Sequence, residues 1–191
     1  IDDGSCCYSS WGNVWNQIGQ DIQSPVQTSQ FGELGDEGFL SGDGNILAIG
    51  ARFWENGNTN GDDGIVYVYE NISNNWVQTA SITGNSNSAF GWSISLSYDG
   101  SIMAIGAPYD GAYSQSNNQH QTGYASVFQN INGNWVQLGQ DIIGQNAYAK
   151  AGESVAIDST GSILAIGSPG GPGNGKTRVY NWDGFFWNQL G

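Results

Sequence analysis

The chain has 191 residues, 30 glycines, a formal net charge of −13 and only four Lys or Arg residues. Four cations cannot neutralise a run of phosphates, which excludes nucleic acid as a partner, and the negative charge disfavours anionic membrane surfaces. No apolar stretch is long enough for membrane insertion. Turn-forming and aromatic residues are abundant and helical periodicity is missing, which predicts an all-β fold.

The first ten residues contain both cysteines, Cys6 and Cys7. Adjacent cysteines rarely bridge each other, so we expect at least one to form a disulfide with a residue outside the segment, in an oxidising compartment. We predict that residues 1–10 are a tail or the end of a preceding Cys-containing module. A chain that starts at Ile1 is expected to be processed or excised from a longer one.

A tryptophan motif then occurs four times along the chain. Its copies are Trp15-Asn-Gln-Ile-Gly, Trp76-Val-Gln, Trp135-Val-Gln-Leu-Gly and Trp187-Asn-Gln-Leu-Gly, at spacings of 61, 59 and 52 residues. The first copy stands apart from the other motifs of the repeat. Residues 11–30 are therefore predicted to be an isolated strand of the fourth type, followed by a linker.

Two further motifs recur between the tryptophans, always in the same order. One is an Asp-Gly or Thr-Gly turn before the apolar strand Ile-[Leu/Met]-Ala-Ile-Gly, which begins at Ile46, Ile102 and Ile163. The other leads into Val-Tyr or Val-Phe and begins at Gly64, Gly123 and Gly175.

Each repeat unit is thus predicted to contain four strands. Glycine supplies the positive φ that tight hairpins need, and an almost wholly apolar strand is expected where both faces are covered. A four-stranded unit with a period of 52 to 61 residues predicts β-propeller blades rather than a sandwich or a solenoid. The three blades are placed at residues 31–83, 84–144 and 145–191.

The second blade carries the residues that connect the chain to a known family. Phe90-Gly91, followed by Gly106-Ala-Pro108, resembles the FG-GAP repeat of integrin-α-type β-propellers. Looser versions of this pattern are Leu34-Gly35 with Gly50-Ala51, and Ala151-Gly152 with Gly167-Ser-Pro169. The tryptophan motif is similar to the variant found in secreted bacterial surface proteins. Residues 1–6 resemble the tail of a short repeat found in such proteins from Bacteroidota.

The resemblance implies a secreted or cell-surface protein that acts in adhesion without catalysis, with an extracellular protein or glycan as its ligand. Blades of this family often bind calcium in their first hairpin. Here those hairpins contain Asp43, Asp99 and Asp158 and lack the alternating oxygens of a calcium loop, so no calcium is expected there.

A different loop, at residues 53–63, offers the candidate metal ligands Glu55, Asp62 and Asp63. Their oxygens, with those of intervening asparagines, could wrap a calcium ion. The alternative is a polar connector in which Asn and Gly make turns. We favour the connector, because the match in spacing is weak.

The candidate ligand-binding residues are Phe53, Trp54 and Trp92. Phe53 and Trp54 follow the second strand of the first blade, at a loop mouth where propellers commonly bind ligands, and Trp92 lies off the repeat pattern. They support an alternative function, a carbohydrate-binding lectin. The recurring tryptophans, including Trp15, are better explained by packing between blades. His120 is the only histidine and cannot form a metal site alone.

The sequence contains no nucleophile elbow, phosphate loop, zinc motif or paired acid–base residues, so we do not expect an enzyme. Closed propellers have four to eight blades, and only three are predicted here. Either further blades belong to a longer chain, or several copies of the chain associate into a ring or a filament.

Overall fold

The computed structural model describes residues 15–25, 37–55, 62–109 and 121–191. The predictions for Cys6, Cys7 and His120 lie outside these residues. All helices and strands assigned within these residues are β-strands; there are 13, and they form three antiparallel sheets. No helix among these residues could cross a bilayer.

Each sheet is a meander in which consecutive strands pair, and we call the sheets blades 1, 2 and 3. Blade 1 contains β1 (Glu37–Leu40), β2 (Ile46–Ala51), β3 (Ile65–Ile72) and β4 (Asn75–Thr83). Blade 2 contains β5 (Ser93–Leu96), β6 (Ile102–Ala107), β7 (Tyr124–Ile131), β8 (Asn134–Gln137) and the short β9 (Ile142–Ile143), which pairs with β7. Blade 3 contains β10 (Ser154–Ile157), β11 (Ile163–Ser168), β12 (Lys176–Trp182) and β13 (Trp187–Leu190). The prediction of an all-β fold with propeller-type blades is confirmed.

A carboxylate closes the first hairpin of every blade. In blade 1 the Asp43 carboxylate accepts hydrogen bonds from the Ser41 hydroxyl at 2.6 Å and from the backbone N–H of Asn45 at 3.0 Å. In blade 2 the Asp99 carboxylate accepts a hydrogen bond from the backbone N–H of Ser101. In blade 3 the Asp158 carboxylate accepts one from the backbone N–H of Thr160, which lies in the turn. The carboxylate oxygens therefore accept hydrogen bonds from groups of their own turn, in place of backbone acceptors.

The hydrophobic core lies between the blades, because alternate side chains of each central strand point into the two neighbouring junctions. The junction of blades 1 and 2 includes Ala48, Val66, Val68, Ile94, Met103 and Ile105. The junction of blades 2 and 3 includes Ile102, Ala104, Val127, Leu164, Ile166 and Trp187. Since β6 contributes to both junctions, all six of its residues are buried.

Glycine pairs let the backbones of neighbouring blades touch. A Cβ atom on Gly50 would overlap with the carbonyl oxygen of Gly91, and one on Gly106 would overlap with that of Gly152. The Ser93 hydroxyl crosses the second junction and donates to the same Gly152 carbonyl at 2.8 Å. Gly50 and Gly106, next to the last residue of β2 and β6, are therefore required by the distance between blades.

Candidate functional site

A row of alternating cations and aromatic rings crosses both blade junctions. The Arg52 guanidinium lies over the Trp92 ring, 4.2 Å from its centroid, and 4.8 Å from the centroid of Phe53. Trp92 packs edge-to-face on Tyr109 with the ring centroids 5.1 Å apart, and Lys150 Nζ lies 5.0 Å from the Tyr109 centroid. All five side chains are half-buried. We call these residues the cation–aromatic row.

The row is built from positions at which the three blades differ. Arg52 stands where the other two blades have Pro108 and Pro169, directly after the second strand. Lys150 stands where blade 2 has Ala89. Phe53 follows Arg52 as Tyr109 follows Pro108, so this end of the strand carries an aromatic ring in two successive blades.

The row brings two of the four Lys or Arg residues of the chain into one place. Arg52 belongs to blade 1 and Trp92 to blade 2, and likewise Tyr109 belongs to blade 2 and Lys150 to blade 3, so each junction has its own cation–aromatic pair. A guanidinium stacked on a ring still presents N–H groups at its edge, which match the geometry of a carboxylate. The row therefore combines positive charge with aromatic surface at both junctions.

The structure brings together two of the three predicted ligand-binding residues. Phe53 and Trp92 lie on either side of Arg52. Trp54 lies elsewhere, because its ring packs against the cluster around Tyr67 and Tyr69 on the opposite side of blade 1. Sequence reasoning missed Arg52 and Lys150, although their departure from the repeat was a usable signal.

The predicted metal ligands are placed mainly in structural roles. The buried Asp63 carboxylate accepts a hydrogen bond from the backbone N–H of Asn87 at 2.9 Å, and the Asp63 carbonyl accepts one from the Ser88 hydroxyl at 2.9 Å. The backbone N–H of Ala89 donates to the carbonyl of Asp62 at 2.8 Å. These bonds hold the start of blade 2 against blade 1. In the described parts of the chain no three His, Cys, Asp or Glu residues are grouped to hold a metal ion.

Asp62 precedes Asp63 in sequence, and this affects the pKa of Asp62. Although much of the Asp62 side chain reaches solvent, partial desolvation and the neighbouring Asp63 charge raise the pKa of Asp62. Glu55 is half-buried on the other side of the undescribed residues 56–61.

The four recurring tryptophans do not share one environment. Trp187 is 4% exposed at the junction of blades 2 and 3, and Trp135 is partly buried at the junction of blades 1 and 2, as the packing prediction requires. Trp76 is partly buried in the cluster on the other side of blade 1, which Ile22 also contacts. Trp15 is 97% exposed, so the prediction is wrong at this position. No described strand pairs with Trp15 and its neighbours, which leaves the ring without the blade that surrounds the other copies.

The segment around Trp15 is nevertheless docked on blade 1, and we call residues 15–22 the docked segment. Its hydrogen bonds are Gln17 Nε2 to Asp21 Oδ1 at 2.9 Å, Trp76 Nε1 to the Ile18 carbonyl at 3.2 Å, and Gln20 Nε2 to the Trp76 carbonyl at 2.8 Å. Ile22 packs against the hydrophobic cluster of blade 1.

The end of blade 2 makes three equivalent bonds, of which one lies within blade 2 and two reach blade 3. They are Gln137 Nε2 to Asp141 Oδ1 at 2.7 Å, Trp187 Nε1 to the Leu138 carbonyl at 2.9 Å, and Gln140 Nε2 to the Trp187 carbonyl at 3.0 Å. The docked segment therefore occupies, on blade 1, the place that the outer strand of a preceding blade would occupy.

A comparison with family models matched residues 76–128 to the FG-GAP repeat. Residues 76–128 form an FG-GAP repeat. The matched residues run from the outer strand of blade 1 through the first three strands of blade 2. A comparison with curated protein sequences found no match.

The Phe-Gly pair of the FG-GAP repeat lies at the first blade junction. Phe90 is 2% exposed and packs on the rings of Tyr124 and Phe128, at centroid distances of 6.4 and 6.1 Å. A Cβ atom on Gly64 would overlap with the backbone of Phe90. The Phe-Gly pair thus packs against the ends of the second and third strands of the preceding blade.

Among solved structures, the chain is similar to TolB from Acinetobacter baumannii, with 13% sequence identity and a TM-score of 0.42 over 83% of this chain and 32% of that one. It is also similar to the periplasmic gluconolactonase PpgL from Pseudomonas aeruginosa, with 16% identity and a TM-score of 0.48 over 88% of this chain and 44% of that one. The chain spans less than half of the length of either protein.

Proposed function

We propose that the chain is a non-catalytic segment of an extracellular β-propeller that acts in adhesion and assembly, and that its cation–aromatic row binds a carboxylate-bearing ligand. The observation that supports this proposal is the row itself. In a chain of net charge −13, two of the four cations are held beside rings at one rim. The FG-GAP repeat at residues 76–128 supports the extracellular, adhesive role.

The row is suited to a ligand with several carboxylates, such as an acidic polysaccharide or an acidic protein loop. The rings of Trp92 and Tyr109 hold the two cations in place, so less side-chain freedom is lost on binding. The negative charge of the remaining surface repels a polyanion at long range. We therefore expect binding to strengthen with moderate salt, which screens that repulsion.

Titration calorimetry with polygalacturonate tests the proposal, with dextran as the neutral comparison. We expect the acidic polymer to bind and dextran not to bind. Arg52→Gln and Lys150→Gln should each weaken binding by at least about tenfold, because each removes one charge partner. Lys176→Gln, which removes a cation elsewhere on blade 3, is the matched control and should bind like the wild type. Equal affinities in all four proteins would contradict the proposal.

The second candidate function is the lectin. It is favoured by the placement of aromatic residues, Phe53 and Tyr109, at the same position of two successive blades. One face of Trp92 is already covered by Arg52, which leaves less ring surface for a sugar. Binding of dextran or another neutral glycan that is lost in Phe53→Ala but kept in Arg52→Gln would favour the lectin.

A further inference from the structure

The turn between β12 and β13 exposes two adjacent aromatic rings, Phe185 and Phe186. Phe185 is 77% exposed and Phe186 is 60% exposed, whereas Trp187, the next residue along the chain, is 4% exposed. Large rings are usually placed in cores or interfaces, because removing their surface from water lowers the free energy. We call residues 183–186 the aromatic turn.

The equivalent turns of blades 1 and 2 are polar at the positions of the two rings. Each turn has four residues before the recurring tryptophan, so the equivalent positions can be counted back from it. They are Asn74 and Asn75 in blade 1, and Gly133 and Asn134 in blade 2. The two rings are therefore an addition to the repeat, and its fold does not require them.

The exposure of the aromatic turn does not depend on what lies beside blade 3. Blade 2 has a neighbour on each side, and its turn is still exposed at every residue from Ile131 to Asn134. A Cβ atom on Gly133 of that turn would meet no atom within 4 Å, and the same holds for Gly184 of the aromatic turn. The turn therefore projects outside the junctions in which blades pack.

The backbone of the aromatic turn allows it to carry bulky residues. Blades 1 and 2 turn through two residues of positive φ, among them Asn74 at 62° and Asn132 at 54°, a region that bulky side chains disfavour. Among the four residues of the aromatic turn only Gly184 has a positive φ, of 102°. Phe185 and Phe186 are thus accommodated without backbone strain.

The Asp183 carboxylate holds the two rings in place. Its Oδ1 atom accepts hydrogen bonds from the backbone N–H groups of Phe185 and Phe186, both at 2.8 Å. Its Oδ2 atom accepts one from Asn188 Nδ2 at 2.7 Å. Blades 1 and 2 have an isoleucine at the position of Asp183. The aromatic turn is therefore organised before a partner binds, which reduces the entropy lost on binding.

Carboxylates lie beside the rings. Hydrogen bonds from the backbone N–H groups of Phe186 and Phe185 lower the pKa of Asp183, which is fully exposed and therefore ionised at neutral pH. The β10–β11 hairpin runs alongside, because the Trp182 N–H donates to the Ser162 carbonyl at 2.9 Å. That hairpin contains the Asp158 carboxylate, which accepts a hydrogen bond from the Ser162 N–H at 2.7 Å.

All four Lys or Arg residues of the chain lie within the described ranges, and none is close to the aromatic turn. Arg178 precedes Trp182 by four residues on β12, which is about 13 Å along a β-strand. Salt screens exposed charges beyond about 8 Å at physiological ionic strength. Lys176 is further along β12, and Arg52 and Lys150 belong to the cation–aromatic row at the other ends of the strands. The surroundings of the rings are therefore acidic.

We propose that the aromatic turn is a docking site for a cationic, apolar segment of a partner protein, in which Lys or Arg side chains flank apolar ones. The two rings supply apolar surface, and the carboxylates of Asp183 and Asp158 supply charge that complements the cations. A cation of the segment can also lie over an exposed phenyl ring. The site takes a ligand of opposite charge to that of the cation–aromatic row and does not rest on the proposed function.

Two other occupants fit the aromatic turn less well. Rings that enter a bilayer interface are typically accompanied by Lys or Arg, whereas here the accompanying groups are carboxylates. A sugar that stacks on a ring also needs polar partners beside it, and the Asp183 oxygens already accept three hydrogen bonds within blade 3. The charge and the hydrogen bonding together favour a cationic protein segment.

Titration with short peptides, followed by nuclear magnetic resonance, tests the proposal. The probe is acetyl-Lys-Leu-Lys-Leu-Lys-amide, and its two comparison peptides replace Leu by Ser or Lys by Glu. We expect the probe to shift the amide signals of residues 183–188. It should bind at least about tenfold more tightly than either comparison peptide, because one lacks apolar surface and the other lacks complementary charge. Binding should weaken with salt, opposite to the dependence expected at the cation–aromatic row.

Variants of the aromatic turn identify the groups that bind. Phe185→Asn and Phe186→Asn introduce the side chain that blade 1 has at these positions, so both should fold, and each should weaken probe binding by at least about tenfold. Asp183→Asn keeps an oxygen for the two N–H groups but removes the charge, and should also weaken binding. Val136→Asn is the matched control, since Val136 is 49% exposed on β8, and it should bind like the wild type.

Equal probe affinities in the wild type and in both phenylalanine variants would overturn the proposal, and so would shifts confined to residues outside 183–188. Sedimentation with phosphatidylcholine vesicles and titration with dextran address the other occupants. If either binds in a manner that Phe186→Asn abolishes, and the probe does not bind, the proposal is also overturned. None of these outcomes affects the binding of polygalacturonate at the cation–aromatic row, so the two proposals fail separately.

Discussion

Single atoms decide how closely two blades approach. Gly50 and Gly106 lie near the ends of the second strands of blades 1 and 2, where the next blade brings a carbonyl oxygen against the Cα atom. An added methyl group can only fit if the two sheets separate, which would loosen the side chains packed between them.

Gly106→Ala is therefore expected to destabilise the protein by about 1–3 kcal/mol or more, because of overpacking at the junction. For a chain of this length that lowers Tm by roughly 2–4 °C per kcal/mol. Gly38→Ala is the control, since a Cβ atom on Gly38 would meet no atom within 4 Å. Thermal unfolding followed by circular dichroism measures both, and equal Tm values would contradict the expectation.

The hairpin carboxylates give stability a dependence on pH. Desolvation acts to raise the pKa of Asp158, but hydrogen bonds from the Thr160 hydroxyl and from the backbone N–H groups of Ile163, Thr160 and Ser162 lower it to about 2, from an ordinary value of 3.8. The folded state thus favours the ionised form. The stabilisation that the Asp158 carboxylate provides is complete above the ordinary pKa of 3.8 and is lost as pH falls towards 2. We expect Asp158→Asn to lower Tm at pH 7, with a difference from wild type that shrinks in this acid window.

Asp62 should behave with the opposite sign. Its pKa is raised in the folded protein, so its charge is unfavourable at neutral pH and the penalty disappears below the ordinary value of 3.8. Asp62→Asn should therefore match or exceed the wild-type Tm at pH 7 and match it in acid. A loss of Tm in Asp62→Asn at pH 7 would contradict the Asp62 assignment, and an unchanged Tm in Asp158→Asn would contradict the Asp158 assignment.

At this scale the sequence predicted some residues and missed others for definable reasons. The apolar strands at Ile46, Ile102 and Ile163 were predictable, because a local pattern repeats with its turns. Arg52 and Lys150 depart from the repeat, which marked them as unusual, but their role could not be predicted because it depends on rings that another blade supplies. Trp15 was predicted wrongly because burial depends on the surrounding blade, which the motif alone does not guarantee.

Among the elements, the docked segment makes the contacts of a blade's outer strand, although no described strand pairs with it. The sequence predicted residues 11–30 as a fourth-type strand and linker. The described part, 15–25, pairs with no strand and is held mainly by side chains. Its attachment should therefore be weaker than that of the corresponding stretch at 135–142, which β8 and β9 join to blade 2.

Trp76→Phe tests this difference. The variant keeps a ring but loses the indole N–H that bonds to the Ile18 carbonyl, a loss of about 1 kcal/mol, so the docked segment should open roughly fivefold more often. Chymotrypsin is the suitable protease, because no Lys or Arg precedes Arg52. We expect faster cleavage near Trp15.

Trp187→Phe is the matched control for this experiment, since it removes the equivalent bond to the Leu138 carbonyl. The strand pairing of blade 2 should keep residues 135–142 protected in that variant. Faster cleavage at 135–142 would show that side-chain bonds, and not strand pairing, hold the outer strands of all blades.

For the whole molecule, the repeat of three motifs in fixed order was sufficient to predict the blades. The exposure of Ile163 could not be predicted in the same way. It depends on which faces remain uncovered after the blades stack, and that becomes visible only when Ile163, 37% exposed, is compared with the equivalent Ile102, 7% exposed.

The burial of β6 on both faces has a consequence for how the molecule opens. In a stack of repeats each unit is stabilised by its neighbours, so the unit with two neighbours opens last. Amide hydrogens of β6 should exchange most slowly with deuterium, and those of β11, which is equally central in its own sheet but alternates between buried and exposed residues, should exchange faster. Mass spectrometry of the exchanging protein measures both rates.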